Sequence, residues 1–263
     1  AEAYTFSVRK SFDNGFSFYS AYSSVDAKDV YPLTSSQAES AYGYTQRWDG
    51  ENLDATRSSF MSDSKFIAVL EYRTQLWGDN ETRISAVYIK KAGEPYSVSF
   101  DEPGYNSVTG NSKFYADYSL AYIPNGADDA NVVFSSASVA SDVMAHINST
   151  ALAQYKGTYA PRNAFTNPSY DRLDVRITQE IPAFRDHKFI FYLDLLNVMN
   201  MLDDEDGRVF EYGYNTSRQI MVSGVDGDGK FLISGVDDDD SLYLQDGDGQ
   251  SRWQVQMGLK YRF

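Results

Sequence analysis

The sequence lacks cysteine, lacks long apolar runs and has fewer basic than acidic residues. Because no cysteine is present, neither a disulfide framework nor a thiolate metal site can form. A membrane-crossing helix needs about 18 consecutive apolar residues, whereas the most apolar segment, 189–196, is far shorter and contains Asp194. The formal net charge of −14 argues against nucleic-acid binding, which requires a basic surface.

Aromatic residues, by contrast, are abundant. They make up 15% of the chain and include 21 tyrosines, although the mean hydropathy is only −0.46. This combination is unusual for the core of a soluble domain. It suits a membrane-spanning sheet, in which outward aromatic side chains meet lipid headgroups while the opposite face stays in contact with water.

The C-terminal segment 252–263 shows the clearest pattern in the chain. Apolar and polar residues alternate without a break, and the apolar set is Trp253, Val255, Met257, Leu259, Tyr261 and Phe263. Successive side chains of a strand point to opposite sides, so this alternation predicts a strand with one apolar and one polar face. Similar stripes upstream predict seven strands in all, at 3–12, 16–25, 64–77, 82–91, 170–181, 187–198 and 251–263.

The connections between these strands alternate between short and long. Short turns are expected at 13–15, 78–81 and 182–186, and much longer links at 26–63, 92–169 and 198–250. Outer-membrane barrels have brief periplasmic turns and long outside loops. The sequence therefore predicts an all-β fold, an antiparallel transmembrane β-barrel fragment with a periplasmic C-terminus. Seven strands are odd in number and too few to close, so we expect at least one strand before Ala1 and a chain cut in an outside loop.

Charge is distributed unevenly between the predicted strands and the long links. The three long links hold 27 acidic and 9 basic residues, a net charge of −18. The strands and short turns hold the remaining 10 acidic and 14 basic residues, a net charge of +4. Such a strongly acidic outer surface disfavours strongly anionic cargo on electrostatic grounds.

The last long link contains an acidic repeat that resembles a calcium site. Ser-Gly-Val-Asp recurs at 223–226 and 234–237, and the candidate ligands are Asp226, Asp228, Asp237, Asp239, Asp246 and Asp248. Closely spaced carboxylates in glycine-rich turns provide hard oxygen ligands for Ca²⁺. The EF-hand pattern fails, however, because Phe231 stands where glycine is required. A structural Ca²⁺ in the acidic loop 203–248 and a merely solvated acidic loop are both open, with no other cofactor required.

No pattern of catalytic residues is present. His146 and His187 are the only histidines and are expected on the surface, His146 within a short helix at 138–155. The sequence contains no nucleophile elbow, phosphate loop or dinucleotide fingerprint, so a non-enzymatic protein is expected. Asp194 is expected on the polar face. Aromatic residues near the short turns are expected to form the periplasmic membrane girdle: Phe12, Phe16, Trp77, Phe184, Phe189 and Tyr261.

Several segments resemble the Oar-like TonB-dependent outer-membrane receptors. These are 172–182 (RLDVRITQEIP), 192–200 (YLDLLNVMN) with its Asn-x-x-Asn ending, 93–97 (GEPYS), 161–165 (PRNAF) and 259–263 (LKYRF). The last is similar to the terminal signal that the barrel-assembly machinery reads, through Leu259, Tyr261 and Phe263. The resemblance implies that residues 1–263 are the C-terminal part of a 22-stranded barrel, the plug and earlier strands lying outside this chain.

The resemblance also implies a function. The barrel would form the lumen wall and outside loops of a receptor that imports an unknown substrate, energised through the TonB complex, which contacts an N-terminal part. Outer-membrane lipid and the barrel-assembly machinery are the other expected partners. Two alternatives remain: a calcium-binding surface adhesion or scaffold protein, which would lack a plug domain, and a secreted soluble β-sandwich, which the aromatic face of the last strand disfavours.

Overall fold

The computed structural model describes residues 1–33, 35–50, 54–101, 119–237, 242–245 and 249–263. Its strands are β1 (Glu2–Ser11), β2 (Phe16–Asp26), β3 (Lys28–Asp29), β4 (Thr56–Arg57), β5 (Ser64–Trp77), β6 (Asn80–Lys91), β7 (Pro95–Asp101), β8 (Tyr122–Ile123), β9 (Val132–Phe134), β10 (Thr158–Tyr159), β11 (Phe165–Thr166), β12 (Tyr170–Pro182), β13 (Lys188–Leu196), β14 (Phe210–Glu211), β15 (Thr216–Val225), β16 (Phe231–Val236), β17 (Tyr243–Leu244) and β18 (Gln254–Arg262). The helices are α1 (Ala38–Gly43), α2 (Ala137–Ser149) and α3 (Val198–Leu202), with 3-10 turns at Ala151–Tyr155 and Gly213–Asn215.

The long strands form one antiparallel sheet in the order β1-β2-β5-β6-β12-β13-β18. Every neighbouring pair is antiparallel. The seven strands predicted from the alternation are therefore confirmed, and the protein is mainly antiparallel β-sheet. Within the described residues the sheet is open, because β1 and β18 each pair along one edge only.

The tight turn between β1 and β2 shows how local sequence fixes the register. Gly15 has φ +84°, and its carbonyl accepts a hydrogen bond of 2.9 Å from the Arg73 N–H of the neighbouring strand. A Cβ at this position would collide with the Arg73 carbonyl oxygen. The Phe16 N–H also donates a hydrogen bond of 3.1 Å to Oδ1 of the Asn14 side chain. Glycine is thus required here for both its conformation and its small size.

One strand ends earlier than its sequence pattern indicated. β13 ends at Leu196 because Asn197 takes the left-handed conformation, with φ 54°, and α3 begins at the next residue. The Asn197 N–H donates to Asp174 Oδ1 at 2.8 Å, and its Nδ2 donates to the Gly207 carbonyl at 2.9 Å. The side chain therefore fixes the exit of β13 to the acidic segment that follows.

The described parts of the long connections fold into a second region, which we call the cap (residues 27–33, 35–50, 54–63, 92–101, 119–169, 197–237, 242–245 and 249–253). Its main sheet has the order β11-β7-β15-β16-β9, in which the β7–β15 and β9–β16 pairs are parallel. The hydrophobic core lies here and includes Val98, Phe100, Ile123, Val143, Ile147, Leu152, Ile220, Val222 and Ile233. Residues 216–225 and 231–236 of the last long link are therefore strands of this sheet, and Asp226 and Asp228 lie in the turn between them.

Helix α2 covers one side of the cap sheet. It begins where the Ser136 hydroxyl oxygen accepts a hydrogen bond from the Val139 N–H at 3.2 Å, and it buries Ala140, Val143 and Ile147. The predicted helix at 138–155 is confirmed in position, but Thr150 divides it into α2 and a 3-10 turn.

None of the helices in the described parts of the chain is both long and apolar enough to cross a membrane.

Candidate functional site

The register gives the seven-stranded sheet one continuous apolar face. Residues that oppose each other across a strand pair point to the same side of a sheet. Uncharged polar residues such as Ser20, Thr82 and Gln179 stand on this face among its apolar side chains. The apolar side chains of the face are Tyr4, Phe6, Val8, Phe16, Phe18, Tyr22, Phe66, Ala68, Leu70, Tyr72, Ile84, Ala86, Tyr88, Leu173, Val175, Ile177, Ile181, Phe189, Phe191, Leu193, Leu195, Val255, Met257, Leu259 and Tyr261, with Phe263 next after β18.

This face is not covered by any other described part of the chain. Exposure is high on the edge strands, where Phe6 is 75% and Met257 68% exposed, and it continues on the inner strands, where Leu70 is 46% and Ile84 39% exposed. Single exposed hydrophobic residues are common on protein surfaces, but an exposed apolar face on a seven-stranded sheet is not. The apolar face is therefore an extended exposed hydrophobic surface, of the kind that marks contact with a membrane or with another protein.

Charged residues on the apolar face occur only near the ends of strands. They are Glu2, Lys10, Asp26, Lys90 and Asp171, each the first, second, penultimate or last residue of its strand. β5, β13 and β18 place no charged residue on this face. The apolar face is consequently a band with charges at its two rims.

The opposite face, which we call the polar face, carries paired charges together with a few aliphatic residues such as Ile67 and Val87. Asp194, only 4% exposed, accepts two hydrogen bonds from Arg176, at 2.5 and 2.6 Å. Glu180 lies 2.6 Å from Lys188 Nζ and 3.0 Å from Arg262 Nη2. The prediction that Asp194 lies on the polar face is confirmed.

The predicted girdle residues gather at the end of the sheet that carries the short turns. Phe12 contacts Phe16, with ring centroids 5.9 Å apart, and Phe189 contacts Tyr261 at 5.1 Å. Trp77 ends β5 and is 56% exposed. Leu259, Tyr261 and Phe263 lie on the apolar face at the end of β18, and the Tyr261 hydroxyl is hydrogen-bonded to His187 Nδ1.

The candidate calcium ligands are not brought together by the described residues. Asp226 and Asp228 lie at the tip of the β15–β16 hairpin, whereas Asp237 follows β16 at its other end. The six residues of β16 separate them by about 20 Å. Asp226 Oδ1 accepts the N–H groups of Asp228 and Lys230, both at 2.9 Å, which closes the turn.

Other acidic candidates, Asp239, Asp246 and Asp248, lie outside the described residues. Within the described ranges, no three His, Cys, Asp or Glu residues are grouped closely enough to hold a metal ion.

The Asn-x-x-Asn ending is a structural motif. Asn200 Nδ2 donates to the carbonyl oxygens of Asp204, at 3.1 Å, and Asp206, at 2.9 Å, while its Oδ1 accepts the Trp253 N–H at 3.2 Å. With Asn197, this residue orders the backbone of an acidic turn beside the start of β18. The motif therefore joins the sheet to the cap.

Segments 93–97 and 161–165 pack against each other. Tyr96 pairs with Phe165 across β7 and β11, and the Asn163 N–H donates to the Ser97 hydroxyl oxygen at 2.9 Å. Asn163 is fully buried, has φ 59°, and donates to the Arg57 carbonyl at 2.7 Å. These segments therefore hold this part of the cap together.

A cavity of about 210 Å³ lies in the cap, lined among others by Arg47, Arg162, Trp48 and Tyr159. We call it the arginine cavity. Arg47 is 2% exposed and Arg162 4% exposed. The pKa of Arg47 is lowered, because the effect of burial outweighs the opposite effects of Tyr42 and Tyr31. No sequence pattern indicates this site, because two arginines separated by 115 positions line one cavity only through the tertiary fold.

A second cavity, of about 340 Å³, lies beside α2. His146 lines it and its Nε2 is 3.0 Å from Gln219 Oε1, so His146 is half-buried rather than a surface residue as expected. The aromatic rings of Tyr96 and Tyr212, 4.5 Å apart, also line it.

No family model, curated protein or solved structure matches this chain.

Proposed function

We propose that the seven-stranded sheet is a membrane-spanning section of a Gram-negative outer-membrane β-barrel, with the apolar face toward lipid and the polar face toward a water-filled lumen. The observation that supports this most strongly is the uncovered apolar face with its charges at the rims only. A soluble protein of this size would have to bury such a surface.

The dimensions of the sheet fit a bilayer. The nine residues of β18 extend about 30 Å at a rise of about 3.3 Å per residue. A strand tilted by about 40° crosses roughly 23 Å of membrane, close to the apolar band of about 25 Å in outer-membrane barrels. The aromatic residues at the short-turn end then lie at the membrane–water interface, as in the girdles of such barrels.

The open edges of the sheet support a larger barrel. Backbone N–H and C=O groups in hydrocarbon have to be paired, because no water is available there. The outer edges of β1 and β18 have no partner strand among the described residues. We propose that both edges pair with further strands, and that these complete the 22-stranded barrel of an Oar-like TonB-dependent receptor.

The orientation follows from the connections. In outer-membrane barrels the short turns are periplasmic and the long connections are outside. Phe263 would then lie at the periplasmic side, where Leu259, Tyr261 and Phe263 would be read by the barrel-assembly machinery. The acidic cap would lie on the cell surface, and residues beyond this chain would contact the TonB complex.

We propose that the protein is a receptor and transporter and not an enzyme. The cap and the polar face would bind a substrate, and movement of a plug would admit it. Import should therefore stop when the TonB complex is removed or the inner-membrane proton gradient is collapsed, although surface binding should persist. If import continues unchanged after both treatments, energised transport by this protein would be contradicted.

Two neighbouring residues of β18 test the membrane orientation. We expect Met257→Arg to block assembly of the full-length protein in the outer membrane, because a lipid-facing arginine near mid-bilayer costs about 2–4 kcal/mol. Gln256→Arg is the matched control, since residue 256 faces the lumen opposite Asp194. The measurement is the amount of heat-modifiable, folded protein in outer-membrane fractions. Equal losses for both variants would contradict the proposal.

A further inference from the structure

The arginine cavity contains guanidinium groups whose hydrogen-bonding capacity is not filled. Arg47 Nη1 donates to the carbonyl oxygens of Tyr42 and Thr45, the latter at 2.9 Å. Arg162 Nη2 donates to the Asp29 carbonyl and to Asp29 Oδ1, both at 2.6 Å. Among the described residues, however, Arg47 Nε and Nη2 and Arg162 Nη1 are buried without any partner.

Such an arrangement is costly unless an anion completes it. An arginine side chain stays charged, and a buried N–H group without a partner destabilises the fold. The Arg47 guanidinium lies 3.7 Å from the centre of the Tyr42 ring, a contact that compensates only part of the lost hydration. Guanidinium groups bind carboxylates and phosphates through paired N–H donors. The buried donors without partners on two arginines that line the same cavity therefore indicate an anionic ligand group.

The remainder of the cavity wall narrows the choice of ligand. Asp49 and Asp54 also line it, so part of the wall is acidic. The rings of Trp48 and Tyr159, whose centroids are 4.9 Å apart, are stacked and form an apolar surface. A wall with both charges suits a molecule that itself carries both charges, and the acidic surroundings disfavour a ligand with several negative charges.

The geometry points to a binding site for a zwitterion, namely a free amino acid or a short peptide, with its carboxylate at Arg47 and Arg162 and its ammonium group toward Asp54. This inference deepens the proposed function, and it rests on that proposal for the placement of the cavity outside the membrane. It names small peptides and amino acids as the class of substrate.

Trp48 provides the signal for a direct test. The chain has three tryptophans, so a variant with Trp77→Phe and Trp253→Phe retains Trp48 as its only tryptophan. Any tryptophan in the rest of the full-length protein is replaced by phenylalanine as well. The probe is the dipeptide alanyl-alanine, which does not fluoresce. We expect it to change the Trp48 emission in a saturable way. The amidated dipeptide, which lacks the carboxylate, should bind about 10- to 100-fold more weakly, the loss of a charge-assisted hydrogen bond.

Further probes separate the charges and the possible ligands. N-acetyl-alanyl-alanine, which lacks the ammonium group, should bind more weakly than the dipeptide because it loses its attraction to the acidic wall, and equal binding would overturn the zwitterion proposal. Inorganic phosphate should bind more weakly still. If phosphate is bound more tightly than the dipeptide, or if the dipeptide and its amide bind equally, the zwitterion proposal is overturned.

Variants test the two arginines. Arg47→Met and Arg162→Met should each weaken dipeptide binding by about 10-fold or more, whereas Arg47→Lys keeps the charge and should weaken it less. Arg185→Met, in an exposed turn at the other end of the sheet, is the matched control. Resistance of the cap to limited proteolysis shows whether each variant is folded. A folded Arg47→Met variant with unchanged affinity would overturn the proposal.

The experiment also separates this inference from the proposed function. Suppose that the protein binds the dipeptide but Met257→Arg and Gln256→Arg reduce membrane assembly equally. The binding site would then be supported and the proposed receptor function would be contradicted. If instead the two variants differ as expected but the protein does not bind the dipeptide, the binding site would be contradicted and the barrel proposal would be unaffected.

Discussion

Tyr192 lies directly over Gly258, its cross-strand neighbour on the polar face. The two residues are opposite each other in the register of β13 and β18, and a Cβ at position 258 would overlap both the ring and the hydroxyl group of Tyr192. A glycine in a strand interior is unfavourable by itself. Here the aromatic ring occupies the space that the missing side chain leaves, so the pair holds the last strand in register.

The first prediction concerns this pair. Gly258→Val should lower the free energy of unfolding in lipid vesicles by about 1–3 kcal/mol, because the added side chain forces the ring away. A second substitution, Tyr192→Ser, should recover part of that loss. Gly227→Ala is the control, since a Cβ there meets nothing within 4 Å. If Gly258→Val and Gly227→Ala prove equally mild, the close packing of this pair is incorrect.

The ion pair between Arg176 and Asp194 should respond asymmetrically to substitution. The Asp194 side chain is 6% exposed and the Arg176 side chain is 58% exposed. Arg176→Met leaves a buried carboxylate without its partner, and we expect a loss of about 1–3 kcal/mol or more. Asp194→Asn leaves a guanidinium that water can reach, so its cost should be smaller. Unfolding of both variants in urea checks the order, and a reversed order would contradict the burial of Asp194.

Acidification should weaken the cap through Asp129. Burial raises the pKa of this carboxyl, but hydrogen bonds from the N–H groups of Asn125 and Asn131 and from Tyr122 outweigh it, so the pKa lies below its usual 3.8. The stabilisation is therefore complete above the ordinary pKa and is lost as the pH falls through the lower pKa of the folded state.

Asp129→Asn should remove this pH-dependent part. The stability difference between the native protein and the variant should shrink as the pH falls from about 5 to about 2. Proteolysis of the cap, with an acid-stable protease at each pH, measures it. A difference that stays constant over this interval would show that Asp129 is not held in its charged form.

The seven-stranded sheet was predictable because its side chains alternate between two distinct environments. Phe189, Phe191 and Leu193 form an apolar stripe, whereas Lys188, Tyr192 and Asp194 point the other way. Such a period can be read without knowledge of the partner strands. Asn197 was expected to continue β13, since a left-handed residue that is fixed by distant hydrogen bonds leaves no local signal.

The cap was not predictable in the same way. β7 is buried on both faces and has no clear alternation, and its parallel partner β15 joins Ser97 to Thr216, far away in the sequence. The arginine cavity depends on the same long-range contacts. Neither Arg47 nor Arg162 differs locally from a surface arginine, and their unfilled donors become apparent only when the buried surroundings are known.

The lack of cysteine allows the central claim to be tested by single spin labels along β18. The full-length protein in lipid vesicles would carry one cysteine at a time at residues 254–260, apart from Gly258, with Ser223→Cys in the cap as the water-exposed control. We expect labels at Val255, Met257 and Leu259 to be relaxed by oxygen, which concentrates in lipid, and those at Gln254, Gln256 and Lys260 by a water-soluble nickel chelate. Loss of this alternation, or odd-numbered labels shielded from both reagents, would contradict a sheet that faces lipid on one side and water on the other.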